Sequence, residues 1–195
     1  MDAVRAAIVL LAISRVALAQ TGAVLEVGTF SAAAGGVLPE GWKPVTFDQG
    51  DRQTLYTIAN DGDTMVVKAT SHAGSSALAR EVTIYPKEFP VVQWRWKVSN
   101  MIRKSDTTTK EGDDYPARLY ITFAYERGRV GLFDKLKYET ARLLYGQYPP
   151  LGAINYIWAN REPKETIVSN PYTGRSKMVV VESGPANMKD RKSVV

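Results

Sequence analysis

From Thr21 onward, apolar residues come in short runs broken by glycine, proline, aspartate and asparagine. Runs of this kind, rich in β-branched and aromatic residues, predict many short strands. Strands are expected at Val24–Phe30, Thr54–Ala59, Thr64–Ala69, Ser76–Val82, Val91–Val98, Ala117–Tyr125, Ala153–Ala159 and Lys177–Val181. Asn60-Asp61-Gly62-Asp63 stands between two of them and reads as a hairpin turn, because these residues tolerate positive φ. One segment has a different period. Leu132, Phe133, Leu136, Leu143 and Leu144 gather on one stripe at about 100° per residue, which predicts an amphipathic helix over about 132–145. Many strands and one helix point to a mostly β fold, an antiparallel β-sandwich with an inserted amphipathic helix.

Alternation sorts the strand residues into faces. Val92, Trp94, Trp96 and Val98 share an apolar face, and Gln93, Arg95 and Lys97 the opposite one. Leu119, Ile121 and Phe123 are apolar, while Arg118, Tyr120 and Thr122 point the other way. If these two strands lie in one sheet, they build an outer face carrying Arg95, Lys97, Arg118, Tyr120 and Thr122.

The first twenty residues follow another pattern. Arg5 precedes an apolar run from Ala6 to Ile13, and Ala17-Leu18-Ala19 offers small residues before Gln20. This resembles a secretory signal peptide over 1–19, followed by a single domain over 20–195. Asp2 and Arg15 depart from the cleanest form of such a signal. The apolar run is too short to span a bilayer, which takes about 20 residues, and no later segment is longer.

Composition narrows the chemistry. The 195 residues are 45% hydrophobic, enough for a packed core. The absence of cysteine excludes disulfides, a thiol nucleophile and thiolate metal sites. An exported chain without disulfides fits a bacterial periplasm or cell surface. The net charge is +5, and losing Arg5, Arg15 and Asp2 with the signal lowers it to about +4. That mild excess suits an acidic polysaccharide, anionic lipid or nucleic acid, and equally ordinary surface charge, but no Lys/Arg tract marks a nucleic-acid arm. His72 is the lone histidine, which excludes a histidine-rich metal centre. Gly35-Gly36 lacks the lysine and helix start of a phosphate loop.

Two clusters are candidates for chemistry. In Lys110-Glu111-Gly112-Asp113-Asp114-Tyr115-Pro116-Ala117-Arg118, adjacent carboxylates lead into a strand. Asp113 and Asp114 fit a hard cation such as calcium, an ion pair with Arg118, a polar turn, or, with a raised pKa, general acid–base work. In Asn155-Tyr156-Ile157-Trp158-Ala159-Asn160-Arg161, Tyr156, Trp158 and Asn160 alternate onto one face. Aromatic rings beside an amide hold sugars by stacking and by hydroxyl recognition, and they are equally a core with a strand-end turn.

Together, several motifs resemble a bacterial family known as domain of unknown function 3047. They are Leu38-Pro39-Glu40-Gly41-Trp42, Trp94-Arg95-Trp96-Lys97-Val98, Gly112-Asp113-Asp114-Tyr115-Pro116-Ala117-Arg118, Leu136-Lys137-Tyr138, Asn155-Tyr156-Ile157-Trp158-Ala159-Asn160, Asn170-Pro171-Tyr172-Thr173 and Val179-Val180-Val181-Glu182-Ser183-Gly184. The resemblance covers about Val24 to Gly184. It implies an exported protein with a jelly-roll-like sandwich similar to carbohydrate-binding modules, and no established activity. The tail Met188–Val195 does not resemble the family's continuation, so the chain is expected to be truncated at its C-terminus.

The functional expectation is a non-catalytic exported module binding a carbohydrate or another envelope component. Arg95, Lys97, Arg118, Tyr120, Tyr156, Trp158 and Asn160 are its ligand residues. The first alternative is a polysaccharide hydrolase or lyase using Asp113 or Asp114 with Glu182, since a hydrolase needs two carboxyls about 5–10 Å apart. The second is a structural envelope protein that binds another protein through an exposed apolar patch.

Overall fold

The computed structural model describes residues 23–33, 37–46, 52–74, 76–125 and 150–188, the backbone of 191–194, and the isolated positions 128, 131, 135, 138 and 139. The signal segment 1–19 lies outside the described residues, as does most of the expected helix over 132–145. The fold is mostly β. Among the described residues, Lys135, Tyr138 and Glu139 are helical, and the elements with described bounds are two single-turn 3-10 helices and ten strands. They are β1 (Trp42–Thr46), β2 (Leu55–Asp61), β3 (Thr64–Thr70), β4 (Ser76–Arg80), β5 (Gln93–Trp96), β6 (Arg118–Phe123), β7 (Gly152–Ala159), β8 (Ile167–Ser169), β9 (Ser176–Ser183) and β10 (Arg191–Val194). Among the described residues, no helix is long and apolar enough to cross a membrane. The chain forms two compact units, Met1–Pro90 and Val91–Val195.

The first unit contains two antiparallel ladders. β2 and β3 form the hairpin that the Asn-Asp-Gly-Asp turn predicts, with Asp61 opposite Thr64 and Gly62 at φ +65°. A side chain is strained at that φ, so glycine suits the tight reversal. β1 pairs with β4, Trp42 facing Arg80. β1 is unexpected from the pattern because Pro44 interrupts it, but proline is tolerated where its missing N–H faces away from the ladder. Val24–Phe30 is not a strand; the chain instead makes a 3-10 turn at Phe30–Ala32, and the Phe30 ring packs 5.1 Å from Trp42. Ser76 ties the ladders together. Its Oγ accepts from Thr54 N at 3.0 Å, and its carbonyl accepts from Tyr56 OH at 2.9 Å.

The second unit carries the buried core. Its main sheet runs β6-β7-β9-β8, and a separate antiparallel pair joins β5 to β10. An all-antiparallel arrangement was expected, but β7 and β9 run parallel, with Ala153 opposite Ser176 and Ile157 opposite Val180. The connection through 160–175 is long enough for such a crossover, and it lays β8 antiparallel outside β9. Parallel strands at the middle of a sheet are covered on both faces and read as continuous apolar runs. β7 shows this, being buried from Asn155 to Ala159.

The two faces of β7 have different partners. Trp94 and Trp96 of β5 meet Tyr156 and Trp158, with Trp94–Tyr156 centroids 5.2 Å and Trp96–Trp158 centroids 5.9 Å apart. Trp94 and Trp96 are themselves edge-to-face at 5.5 Å, a favourable arrangement of ring quadrupoles. On the opposite face, Ile157 and Ala159 pack with Tyr115, Met178 and Val180.

Candidate functional site

The acidic segment before β6 folds into a loop pinned at several points. Asp106 N donates to Gly112 O at 2.8 Å, and the Asp106 carboxylate accepts from Thr108 N and Oγ1 at 2.8 and 2.6 Å. Those donors hold the Asp106 carboxyl below its ordinary range. A Cβ on Gly112 would lie 2.6 Å from Asp106 Cβ, so the loop closes this tightly only with glycine there. Asn160 Nδ2 donates to Ile102 O at 2.7 Å, Thr107 Oγ1 donates to Glu162 Oε1 at 3.0 Å, and Tyr172 OH donates to Lys110 O at 2.9 Å. Burial pushes the Glu162 carboxyl up. Donors from Glu162, Arg161 and Thr107 outweigh that and hold it below its ordinary value.

This loop delivers Asp113 and Tyr115 to the start of β6. Arg118 pairs with Asp113, its guanidinium 3.1 Å from Oδ1, and also donates to the Asp113 carbonyl. A second arm of the guanidinium donates to Tyr120 OH at 2.9 Å, and its carbon stands 4.5 Å from the Tyr115 ring centre. Tyr115 is buried. Burial, then the Asp113 charge, pushes its phenol well above the usual range, Arg118 opposing. Arg118 is opposite Ile157 and Tyr120 opposite Asn155, so alternation puts all four on one sheet face.

The other sequence-derived candidates separate. β5 and β6 lie in different sheets, so Arg95 and Lys97 do not share a face with Arg118, Tyr120 and Thr122. The condition for that composite basic face is not met, because strand order is set by pairing and not by similarity of pattern. Tyr156 is buried and Trp158 is 0% exposed. Both serve the ring row, and Trp158 Nε1 donates to Gly184 O at 3.1 Å. The Asn160 side-chain nitrogen is taken up by the loop carbonyls of Ile102 and Ser105.

The carboxylates considered for calcium or catalysis each face a cation. Asp113 faces Arg118, Asp114 lies 3.3 Å from Lys104, and Glu182, 3% exposed, lies 3.1 Å from Lys164. Among the described residues, no three acidic or histidine side chains come together as a metal centre would need.

Residues 40–194 match the family described as Protein of unknown function (DUF3047). The chain belongs to this family. The DUF3047 match takes in both the acidic loop and Asn155-Tyr156-Ile157-Trp158-Ala159-Asn160. It also runs through the tail beyond Gly184, and β10 in that tail pairs with β5. No curated protein and no solved structure matches the chain.

Sequence reasoning missed two residues of the Arg118 face in this DUF3047 chain. Asn155 and Ser176 are buried there. The signal for Asn155 was visible: it is the only side chain with hydrogen-bonding amide chemistry in the apolar run Gly152–Ala159. Ser176, a common residue at the start of a strand, carries no such signal.

Proposed function

We propose that this chain is an exported, non-catalytic binding module for a carbohydrate, with Arg118 addressing an acidic substituent such as a uronic acid. A jelly-roll-like sandwich of the carbohydrate-binding-module kind and a periplasmic or extracellular location are parts of the same proposal. One observation carries it. Tyr120 keeps 44% of its surface exposed, and its hydroxyl is held at 2.9 Å by Arg118 on the same sheet face. A fixed aromatic ring beside a guanidinium is suited to stacking on a sugar and pairing with a carboxylate. Asp113 and Tyr115 hold that guanidinium in place, so little ordering remains to be done on binding. The hydrolase or lyase reading has weaker support, since Asp113, Asp114 and Glu182 are each engaged with a cation.

Affinity electrophoresis in polygalacturonate, alginate and neutral polysaccharide gels tests the proposal. Retardation in an acidic gel, reduced by Arg118→Ala, is the expected result. Free migration in every gel, with no effect of Arg118→Ala, overturns it.

A second reading, attachment to another protein, is favoured by the first unit. None of its described residues is buried, and Val37, Leu55 and Tyr85 are all more than 60% exposed. Where exposed apolar residues join into one patch, they mark an interaction site. Light scattering across a concentration series tests the self-association form: a constant monomer mass counts against it.

A further inference from the structure

Asn155 is fully buried, yet among the described residues neither Nδ2 nor Oδ1 has a hydrogen-bond partner. Ser176, buried on the adjacent strand β9, also leaves its Oγ unpartnered. Ser176 is opposite Ala153, two residues from Asn155, so both side chains stand on one face, a diagonal step apart. Tyr120 is opposite Asn155 on β6, and Arg118 is on the same face.

A buried amide without partners is destabilising, and an apolar residue of similar shape would serve the fold better. The rest of β7 between Gly152 and Ala159 is apolar or aromatic, so the strand pattern itself calls for such a residue at 155. A residue that breaks the local rule with no gain in folding is a marker of function.

We propose that Asn155 and Ser176 form the polar floor of a ligand site on this face, taking paired hydroxyl groups of a sugar ring. The amide presents a donor and an acceptor, and the serine hydroxyl is both. Vicinal hydroxyls satisfy all of these together, whereas a carboxylate only accepts and an ammonium only donates. The proposal rests on the carbohydrate reading and deepens it: Arg118 addresses the acidic substituent and Asn155 with Ser176 the ring. Asn155 lies one strand in from the partly exposed Tyr120, so binding requires the side chains at this edge to move aside.

The test uses side-chain nitrogen NMR with two probes, a galacturonate trimer and a neutral galactose trimer. Both probes should move the Asn155 amide resonances, and the galacturonate trimer alone should move the Arg118 guanidinium. Asn155→Leu should raise the melting temperature and weaken binding of both trimers by about tenfold or more, the scale of one lost buried hydrogen-bond set. That opposition of stability and affinity is not expected of a purely structural asparagine. Asn155→Leu with raised stability and unchanged affinity overturns the proposal, as does an unmoved Asn155 amide with either trimer. If galacturonate moves Arg118 and leaves Asn155 still, the acidic reading stands and this site falls. If the neutral trimer moves Asn155 and galacturonate leaves Arg118 still, this site stands and the acidic reading falls. Should Asn155→Leu not fold, Ser176→Ala supplies the same comparison.

Discussion

The carboxylate of Asp113 lies 3.1 Å from the guanidinium of Arg118, and these side chains are only 7% and 18% exposed. Asp113 Oδ1 has no well-directed hydrogen bond, so the contact is mainly Coulombic. Removing one member of a largely buried pair strands the other charge. Asp113→Ala is expected to destabilise the fold by about 3 kcal/mol, and Arg118→Met by more, because it strands the more buried Asp113 carboxylate and also removes the donor to the Asp113 carbonyl and to Tyr120. Urea denaturation of both variants checks the order.

The Asn160 side-chain nitrogen supports the acidic loop, so its loss should act on that loop. Asn160→Ala is expected to destabilise by about 1–2 kcal/mol, because the carbonyls of Ile102 and Ser105 lose their donor. Hydrogen exchange should show faster exchange at Asp106 and Asp114, whose N–H groups both donate to Gly112 O. Unchanged protection there would refute this role.

Trp158 closes one end of the four-ring row and fills a fully buried position. Trp158→Ala should destabilise by about 3–5 kcal/mol through lost transfer energy and the cavity left behind. Trp158→Phe should show a smaller loss, with Gly184 O unpaired. Thermal melts of the two variants decide between this core role and an exposed sugar platform, for which neither change would matter much.

The tyrosines predict an alkaline limit. Burial pushes Tyr56, Tyr115 and Tyr156 above their ordinary 10.0. Their folded values exceed the unfolded one, so the stability they contribute is complete below about pH 10 and is lost as pH rises. These three should ionise above the ordinary tyrosine range in a titration followed at the phenolate absorbance, and unfolding should accompany them. Tyr115→Phe should extend the stable range upward.

Glu162 sets the opposite limit. Its folded value is lowered, so its contribution is complete above its unfolded value near 4.5 and is lost as pH falls. Glu162→Gln should flatten the acid limb of a stability–pH curve, and an unaltered limb would count against the Thr107 and Arg161 contacts.

The amino-acid pattern by itself determined the local features. Runs of strand-forming residues located β2, β3, β4, β5, β6, β7 and the core of β9. Asn-Asp-Gly-Asp marked the hairpin, and alternation placed Trp94 and Trp96 in the core. The motifs also pointed to the family. These features depend on neighbours within a few residues, which side-chain period and turn chemistry record directly. β8 is too short to show a period, and β1 is obscured by Pro44.

Only the tertiary structure decided which strands share a sheet. Strand order is a long-range property, and nothing in the period of β5 or β6 says that one pairs with β10 and the other with β7. That order divides Arg95 and Lys97 from Arg118, turns Tyr156 and Trp158 inward, and runs β9 parallel to β7. It also brings Asn155, Ser176, Arg118 and Tyr120 onto one face, although they come from three strands far apart in sequence.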